Sequence, residues 1–519
     1  MRREIEQKNN IKSPPNRGAF LDLLMMRIKN YDIYFFSTII VIILGIIIRT
    51  KLLILNPSHW YDSYALALNL ENSYSNLFKP LYYSQVAPPF FLVINKFIYN
   101  IFYTGGSIEF KDFIIRLFPY FCSILSLPIF ALCVQKIFKS SIITLVATFL
   151  LSFNTWAINY AIEFKQYSCE LMFSCILLYL FYSIDLKNDS YKKISIYSLL
   201  LVISPWFAHT SWLIIFTGIL YLLISYIKTK EISIKKFLII LLPTLINLLI
   251  FYTKFYIPIN TQLYSTMNNY WGKILVSFFN FNNFLNLFPE RVNDLIPIIF
   301  NINFWFFWFI NTLFLFFSEN KKNIYFILTP IILTILASFM KLYPFQNRLI
   351  LFLLPFFIIL AVQFILMIPK KNKKLFGFIT LIIISFFCVN FYKKPIENYI
   401  IHKSISRDLF YLLKEKNPTL KNIVSDNVIF PYLSNGKFSN KDCCFIPFEY
   451  SKIHKIINTT SNSKYWLFIP FGDKYYIEEA QLFLSKNKKI KSIKYYTLQH
   501  KNKYVVGTEK QAFIAEIEI

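Results

Sequence analysis

The sequence predicts an α-helical polytopic membrane protein followed by a small C-terminal α/β domain. Three observations carry that prediction. Of 519 residues, 56% are hydrophobic and only 16% charged, and the mean hydropathy is +0.47. Soluble proteins run nearer to roughly 45–50% apolar and about 25% charged. A soluble chain of this length would split into about three domains, but this one has too little polar surface to cover its apolar surface. Second, the apolar residues arrive in blocks of about 15–25, the length that crosses hydrocarbon. Third, the blocks stop near residue 391, and a polar tail of about 128 residues follows. Frequent Phe (58) and Tyr (35) with scarce Gly (10) exclude collagen-like, Gly-rich and disordered classes.

The blocks read as eleven spans, at about 33–55, 113–134, 140–158, 168–184, 192–207, 210–227, 237–256, 294–317, 323–341, 349–368 and 375–391. A twelfth apolar stretch, Pro88–Tyr103, decides the parity. Lys96 lies in its middle, and a lysine at the bilayer centre costs roughly 2.5–3.5 kcal/mol on insertion scales. If Pro88–Tyr103 does not span, Lys136/Lys139, Lys187/Lys192/Lys193, Lys228/Lys230/Lys235/Lys236, Lys321/Lys322 and Lys370/Lys371/Lys373/Lys374 all fall on the side of the basic N-terminus. If it spans, all five clusters fall outside, against the positive-inside rule. Pro88–Tyr103 is therefore read as an interfacial or re-entrant helix.

Residues 1–30 then form a basic cytoplasmic segment, too long and polar for a signal peptide, and the first span lacks a cleavage site. Residues 31–391 form the membrane domain, with outer loops 56–112 and 257–293. Residues 392–519 form an extracytoplasmic domain of a multi-pass protein of the cytoplasmic (inner) membrane.

In the tail, Ser404–Lys416 and Tyr476–Lys486 have helical spacing, and Asn422–Phe430 and Tyr465–Phe471 read as strands. Ile493–Gln499 and Tyr504–Thr508 read as a hairpin joined by His500–Lys503. The tail has no glycine-rich phosphate loop.

The formal charge of +27 raises a nucleic-acid partner. It is set aside because Lys, Asn, Ile, Phe and Tyr rise together and the lysines sit in short loops between spans. Cys122, Cys133, Cys169, Cys175 and Cys388 lie in apolar stretches as small core residues. Cys443 and Cys444 are adjacent, with no metal-ligand spacing around them.

Acidic residues are rare, which makes their placement informative. Asp62 follows the first span in His59-Trp60-Tyr61-Asp62-Ser63-Tyr64. Then come Gln85-Val86-Ala87-Pro88-Pro89, Gly106-Ser107-Ile108-Glu109, and Arg116-Leu117 opening the second span. Tyr160-Ala161-Ile162-Glu163-Phe164-Lys165-Gln166-Tyr167 follows the third. The deduced topology puts Asp62, Glu109 and Glu163 on one outer side. Asp62 also suits the N-cap of a helix starting near Ser63.

This arrangement resembles the polyprenyl-phosphate-sugar glycosyltransferases of the GT-C superfamily. It is nearest to the bacterial family 39 enzymes, kin to protein O-mannosyltransferases and to the lipid A aminoarabinose transferase. The resemblance covers about residues 30–390. It rests on Asp62, on Gln85 with Pro88-Pro89, on Gly106-Ser107, Glu109 and Arg116-Leu117, on Tyr160, Glu163, Lys165 and Tyr167, and on Gln346-Asn347-Arg348 with Pro355. Where the family has Asp-Glu, this chain has Asp62-Ser63.

The resemblance implies a GT-C fold and transfer of a sugar from a polyprenyl-phosphate donor to a glycan, lipid or protein acceptor at the membrane, with no nucleic acid involved. It implies Asp62 as general base and Glu163 as the residue that orients the acceptor or helps hold a metal. A divalent metal ion remains an open cofactor, with Asp62 and Glu163 its candidate ligands. Lys165, Arg116 and Arg348 become candidates for the donor phosphate. Gln85, His209, Glu109 and Tyr64 become further substrate-binding candidates. Two other readings compete: a transporter or flippase of lipid-linked sugars, which would show repeats and midplane ionisable groups, and a non-catalytic scaffold that uses its basic tail on an anionic partner.

Overall fold

The computed structural model describes residues 33–259, apart from 58, 60, 83–84, 104 and 230–232, residues 321–363 apart from 347, and residues 423–425, 464–469, 485, 492–496 and 513–518. The expected spans at 294–317 and 375–391 and the tail helices lie outside these residues.

Helix α1 (Ile33–Leu55) buries Thr38, Gly45, Arg49 and Leu52 and exposes Ile39, Ile40, Ile43 and Ile47. The buried positions repeat at intervals of seven, four and three, which lays them along one stripe. A short helix, α2 (Tyr61–Ala67), and 3-10 turns at Leu68–Glu71 and Tyr74–Phe78 follow, then α3 (Pro89–Phe102) and the long α4 (Ile108–Phe138).

After α4 come α5 (Ser141–Ser152), α6 (Thr155–Asn159), α7 (Tyr167–Ser183), α8 (Tyr191–Phe207), α9 (Ser211–Thr229) and α10 (Ile234–Phe251). Helix α10 runs into a π turn at Tyr252–Tyr256. Helix α11 spans Lys321–Phe339, and α12 (Leu354–Gln363) follows a 3-10 turn at Leu351–Leu353.

Among the described residues, Ile33–Leu55, Ile108–Phe138 and Ile234–Ile259 are long and apolar enough to cross a membrane, and several shorter apolar helices pack with them. The chain is a multi-pass membrane protein. The expected single span at 140–158 is interrupted. Helix α5 ends at Ser152, and the Asn154 side chain caps α6 by accepting from the Ala157 N–H at 3.0 Å. Asn is a favoured N-cap, so the helix restarts there.

Helices α4 and α7 pack side by side at the centre. Phe130, Phe181, Phe352, Phe356 and Phe357 are fully buried around them. Gly45 lets α1 approach α5 closely, since a Cβ there would lie 2.9 Å from Ser152 Cβ. Next to it the buried Arg49 donates to Ser152 O (2.8 Å), Gly45 O (2.9 Å) and Ser123 Oγ (2.9 Å). Arg49 thus caps the carbonyl end of α5, whose last carbonyls have no partner within the helix.

The stretch between α1 and α4 begins and ends at one end of the bundle: Asn56 Nδ2 donates to Glu109 O at 2.8 Å. Helix α3, 14 residues long, measures about 21 Å, short of the roughly 30 Å hydrocarbon core. Lys96 donates to Leu70 O at 2.6 Å, so its ammonium is met by the protein. At the other end of the bundle, Lys236 Nζ bonds Lys187 O at 2.9 Å, which brings two of the lysine-rich turns together.

A second, smaller core of Leu66, Leu70, Leu77, Phe91, Leu92, Ile115 and Phe164 fastens α2, the 3-10 turns and α3 onto α4.

Four strands form one sheet, β1 (Ile423–Ser425), β2 (Lys464–Ile469), β3 (Ser492–Tyr496) and β4 (Phe513–Glu518), in the order β1-β2-β4-β3. β1 pairs parallel with β2, and β4 is antiparallel to both of its neighbours. β1 falls within an expected strand, and β2 and β3 overlap expected strands but each begins one residue earlier. The partner of β3 is Phe513–Glu518, a strand the sequence reading did not name, and Tyr504–Thr508 lies outside the described residues.

Candidate active site

A cavity of about 150 Å³ opens beside α2, lined by Asp62, Ser63, Tyr160, Glu163, Lys165, Tyr167 and Arg348. Three separate stretches of chain build it. Asp62 and Ser63 come from the first turn of α2, where a carboxylate also suits the positive end of the helix dipole. Tyr160, Glu163 and Lys165 come from the turn between α6 and α7, and Tyr167 opens α7. Arg348 comes from the turn before Leu351–Leu353.

Residues two apart on a helix would point different ways. Glu163 and Lys165 share the cavity because 160–166 is a non-helical turn. Ser168 Oγ holds that turn by donating to Tyr160 O at 2.6 Å. Trp156 stacks on Tyr160 at 5.7 Å, and Tyr167 meets Tyr160 edge-on at 5.2 Å.

Charges of both signs line the cavity. Arg348 Nη2 lies 3.3 Å from Asp62 Oδ2, with both side chains partly exposed. Ser63 Oγ donates to Glu163 Oε2 at 2.8 Å, a buried bond. Lys165 Nζ donates to Gln85 Oε1 at 2.5 Å. Burial pushes the Lys165 ammonium down to about 8; nearby Arg348 pushes the same way, and Asp62 and Glu163 oppose them.

Four expected residues line the cavity: Asp62, Glu163, Lys165 and Arg348. Gln85 does not line it but orients Lys165. Arg116 is buried away from it and donates to Asn56 Oδ1 at 3.0 Å. Glu109 offers its backbone carbonyl to Asn56. Tyr64 is fully buried, with the Lys111 ammonium 5.9 Å from its ring centre. His209 lies against Phe251 and Phe255, with ring centroids at 5.4 and 5.0 Å. Burial pushes its imidazole down to about 3, so it stays neutral.

The cavity also holds Ser63, Tyr160 and Tyr167, which the sequence reading left out of the site. Their signal was present, since Ser63 adjoins Asp62 and the two tyrosines bracket Glu163 and Lys165.

For a divalent ion the cavity offers two carboxylates, each already facing a donor, and it holds two cations. Among the described residues no third His, Cys, Asp or Glu joins them. A divalent metal takes more oxygen ligands than that, and Lys165 and Arg348 would repel it. The donor set fits an anion better than a metal.

No family model and no curated protein matches the chain. Solved structures do. The structure of ArnT from Cupriavidus metallidurans bound to undecaprenyl phosphate is similar with a TM-score of 0.52 at 10% identity, covering 93% of this chain and 97% of that one. The apo state of the same protein gives 0.52 at 10% identity over 89% and 93%. A weaker likeness, 0.43 at 14% identity over 79% and 62%, is to the apo oligosaccharyltransferase from Archaeoglobus fulgidus. The chain has the fold of ArnT.

Proposed function

We propose, from the fold this chain shares with ArnT, that it is a membrane glycosyltransferase moving a sugar from a polyprenyl-phosphate donor to a hydroxyl-bearing glycan, lipid or protein acceptor. One observation carries the reading: two carboxylates, Asp62 and Glu163, share a single cavity with two cations, Lys165 and Arg348. Sugar transfer from a phosphate needs both kinds of group.

A carboxylate takes the proton of the attacking hydroxyl, and Asp62 is the more exposed of the two acids. The acceptor oxygen bonds to the anomeric carbon as the bond from that carbon to the phosphate oxygen breaks. The lipid phosphate leaves with the electron pair. Positive charge fixed where that negative charge develops lowers the barrier, and Lys165 and Arg348 are placed to supply it. Arg348 turns from Asp62 to the phosphate as donor enters, and that frees the base. Glu163, held by Ser63, orients the acceptor.

The cavity end of the bundle faces the outer side of the cytoplasmic membrane in this reading. The N-terminus is then cytoplasmic and residues 392–519 form the extracytoplasmic domain.

The test is Asp62→Asn and Asp62→Ala. Both are expected to insert and accumulate normally and to abolish transfer; undiminished transfer by either rejects Asp62 as the base. Lipid and glycan mass spectrometry of a deletion strain would identify the accumulated donor and the under-decorated acceptor together.

A further inference from the structure

Asp62 lies only seven residues after α1, and the segment between them is fastened to α4 rather than to the cavity. The fastening begins at Asn56, which adopts a left-handed backbone (φ 43). That conformation strains most side chains, but Asn tolerates it. The Asn56 amide is bonded at both ends: Nδ2 donates to Glu109 O at 2.8 Å, and Oδ1 accepts from Arg116 Nη1 at 3.0 Å. One turn on, fully buried His59 places Nε2 3.3 Å from Asp112 O and 3.9 Å from its Oδ1.

Glu109, Asp112 and Arg116 are spaced three and four apart, so they form one stripe along α4. Asn56, His59 and Asp62 are themselves spaced by three. The first two dock on that stripe, and the third enters the cavity. The Asn56 amide can do both at once because its nitrogen donates and its oxygen accepts.

We propose that Arg116 and Asn56 are positioning residues for Asp62, acting through the 56–61 segment, and that Arg116 does not bind the donor phosphate. The proposal deepens the glycosyltransferase reading and rests on it for the role of Asp62. Reacting groups must be held to within about half an ångström of their working geometry, and a displacement of about 1 Å can cost on the order of 100-fold in rate. Loosening the Asn56–Arg116 bond should therefore lower turnover and leave the cations of the cavity untouched.

The test uses full-length protein in detergent carrying Arg116→Met, Arg116→Lys, Asn56→Ala or the pair Asn56→Ala/Arg116→Met. Three readouts are taken: affinity for undecaprenyl phosphate, turnover with donor lipids extracted from the source membrane, and hydrogen exchange of amides 58–67.

Arg116→Met is expected to cut turnover roughly 10- to 100-fold, with undecaprenyl phosphate affinity changed less than twofold and faster exchange across 58–67. Arg116→Lys keeps one donor and should recover part of the turnover. The loss in the double variant should fall short of the two single losses added together, because the two residues share one bond.

A tenfold or greater loss of undecaprenyl phosphate affinity in Arg116→Met and Arg116→Lys would make Arg116 a phosphate ligand and overturn the proposal. Unchanged exchange across 58–67 in Arg116→Met would overturn it as well. Wild-type protein that binds no undecaprenyl phosphate and transfers no sugar would reject the glycosyltransferase reading instead, and the exchange arm would still decide whether Arg116 fixes the segment.

Discussion

Arg348 and Asp62 are 286 positions apart in sequence and 3.3 Å apart in space. The contact ties the turn before α12 to the first turn of α2 and closes one wall of the cavity. Both side chains are partly exposed, so the pair adds little to stability and is free to rearrange. Arg348→Gln is therefore expected to leave thermal stability within about 1 kcal/mol of wild type. It should weaken undecaprenyl phosphate binding roughly tenfold or more, the cost of losing a charge-assisted bond of about 1.5–3 kcal/mol. Arg348→Lys should recover only part, because it keeps the charge and loses the fork. Titration of purified variants with undecaprenyl phosphate checks both, and unaltered affinity in Arg348→Gln would remove Arg348 from the donor site.

Ser63 is the partner of Glu163. Replacing it with alanine leaves a buried carboxylate without a donor that it holds at 2.8 Å. Loss of a bond to a charged group costs about 1.5–3 kcal/mol. Ser63→Ala should lower both the thermal midpoint and the turnover, whereas Ser63→Thr keeps the hydroxyl and should stay close to wild type. Steady-state kinetics beside a thermal melt decide it; equal turnover in Ser63→Ala would leave the bond without a functional role.

The sequence made the membrane helices legible because span length and apolar composition follow from the solvent alone. Asp62 and Glu163 stood out because acidic residues are rare and the deduced topology put both on one side, whereas Lys165 and Arg348 came in through the family resemblance. The pairings were not legible. Nothing local ties Ser63 to Glu163, Asn56 to Arg116, or Asp62 to Arg348; each contact exists only once the helices have packed. The break after Ser152 and the choice of Phe513–Glu518 as the partner of β3 depend in the same way on packing and pairing, which outweigh local pattern.

Arg49 offers a control far from the chemistry. Its guanidinium is fully buried, and its partners are the hydroxyl of Ser123 and carbonyls of Gly45, Leu151 and Ser152. Arg49→Met would leave the Ser152 carbonyl without its 2.8 Å donor inside the bundle, at about 1–3 kcal/mol for a buried group left without a partner. A thermal midpoint lowered by several degrees is expected, with undecaprenyl phosphate affinity unchanged below the transition. A midpoint equal to wild type would show that water or lipid reaches the end of α5.

Lys165 gives a pH dependence whose sign is fixed. Burial lowers its ammonium from 10.5 to about 8. Lysine is charged below that value and neutral above it, so the cation facing the phosphate fades as pH rises through about 8. The ratio kcat/KM for donor reports the free enzyme and should fall toward tenfold per pH unit above that point. Lys165→Arg should abolish this limb, because arginine stays charged throughout. Unfolding does not account for the same limb. Between about 8 and 10.5 the folded protein binds fewer protons at Lys165 than the unfolded chain, so stability from this group rises with pH across that window. A rate that drops while the thermal midpoint holds or climbs identifies Lys165 as a phosphate-facing cation. A rate that stays flat to pH 9.5 in the wild-type protein removes it from that role.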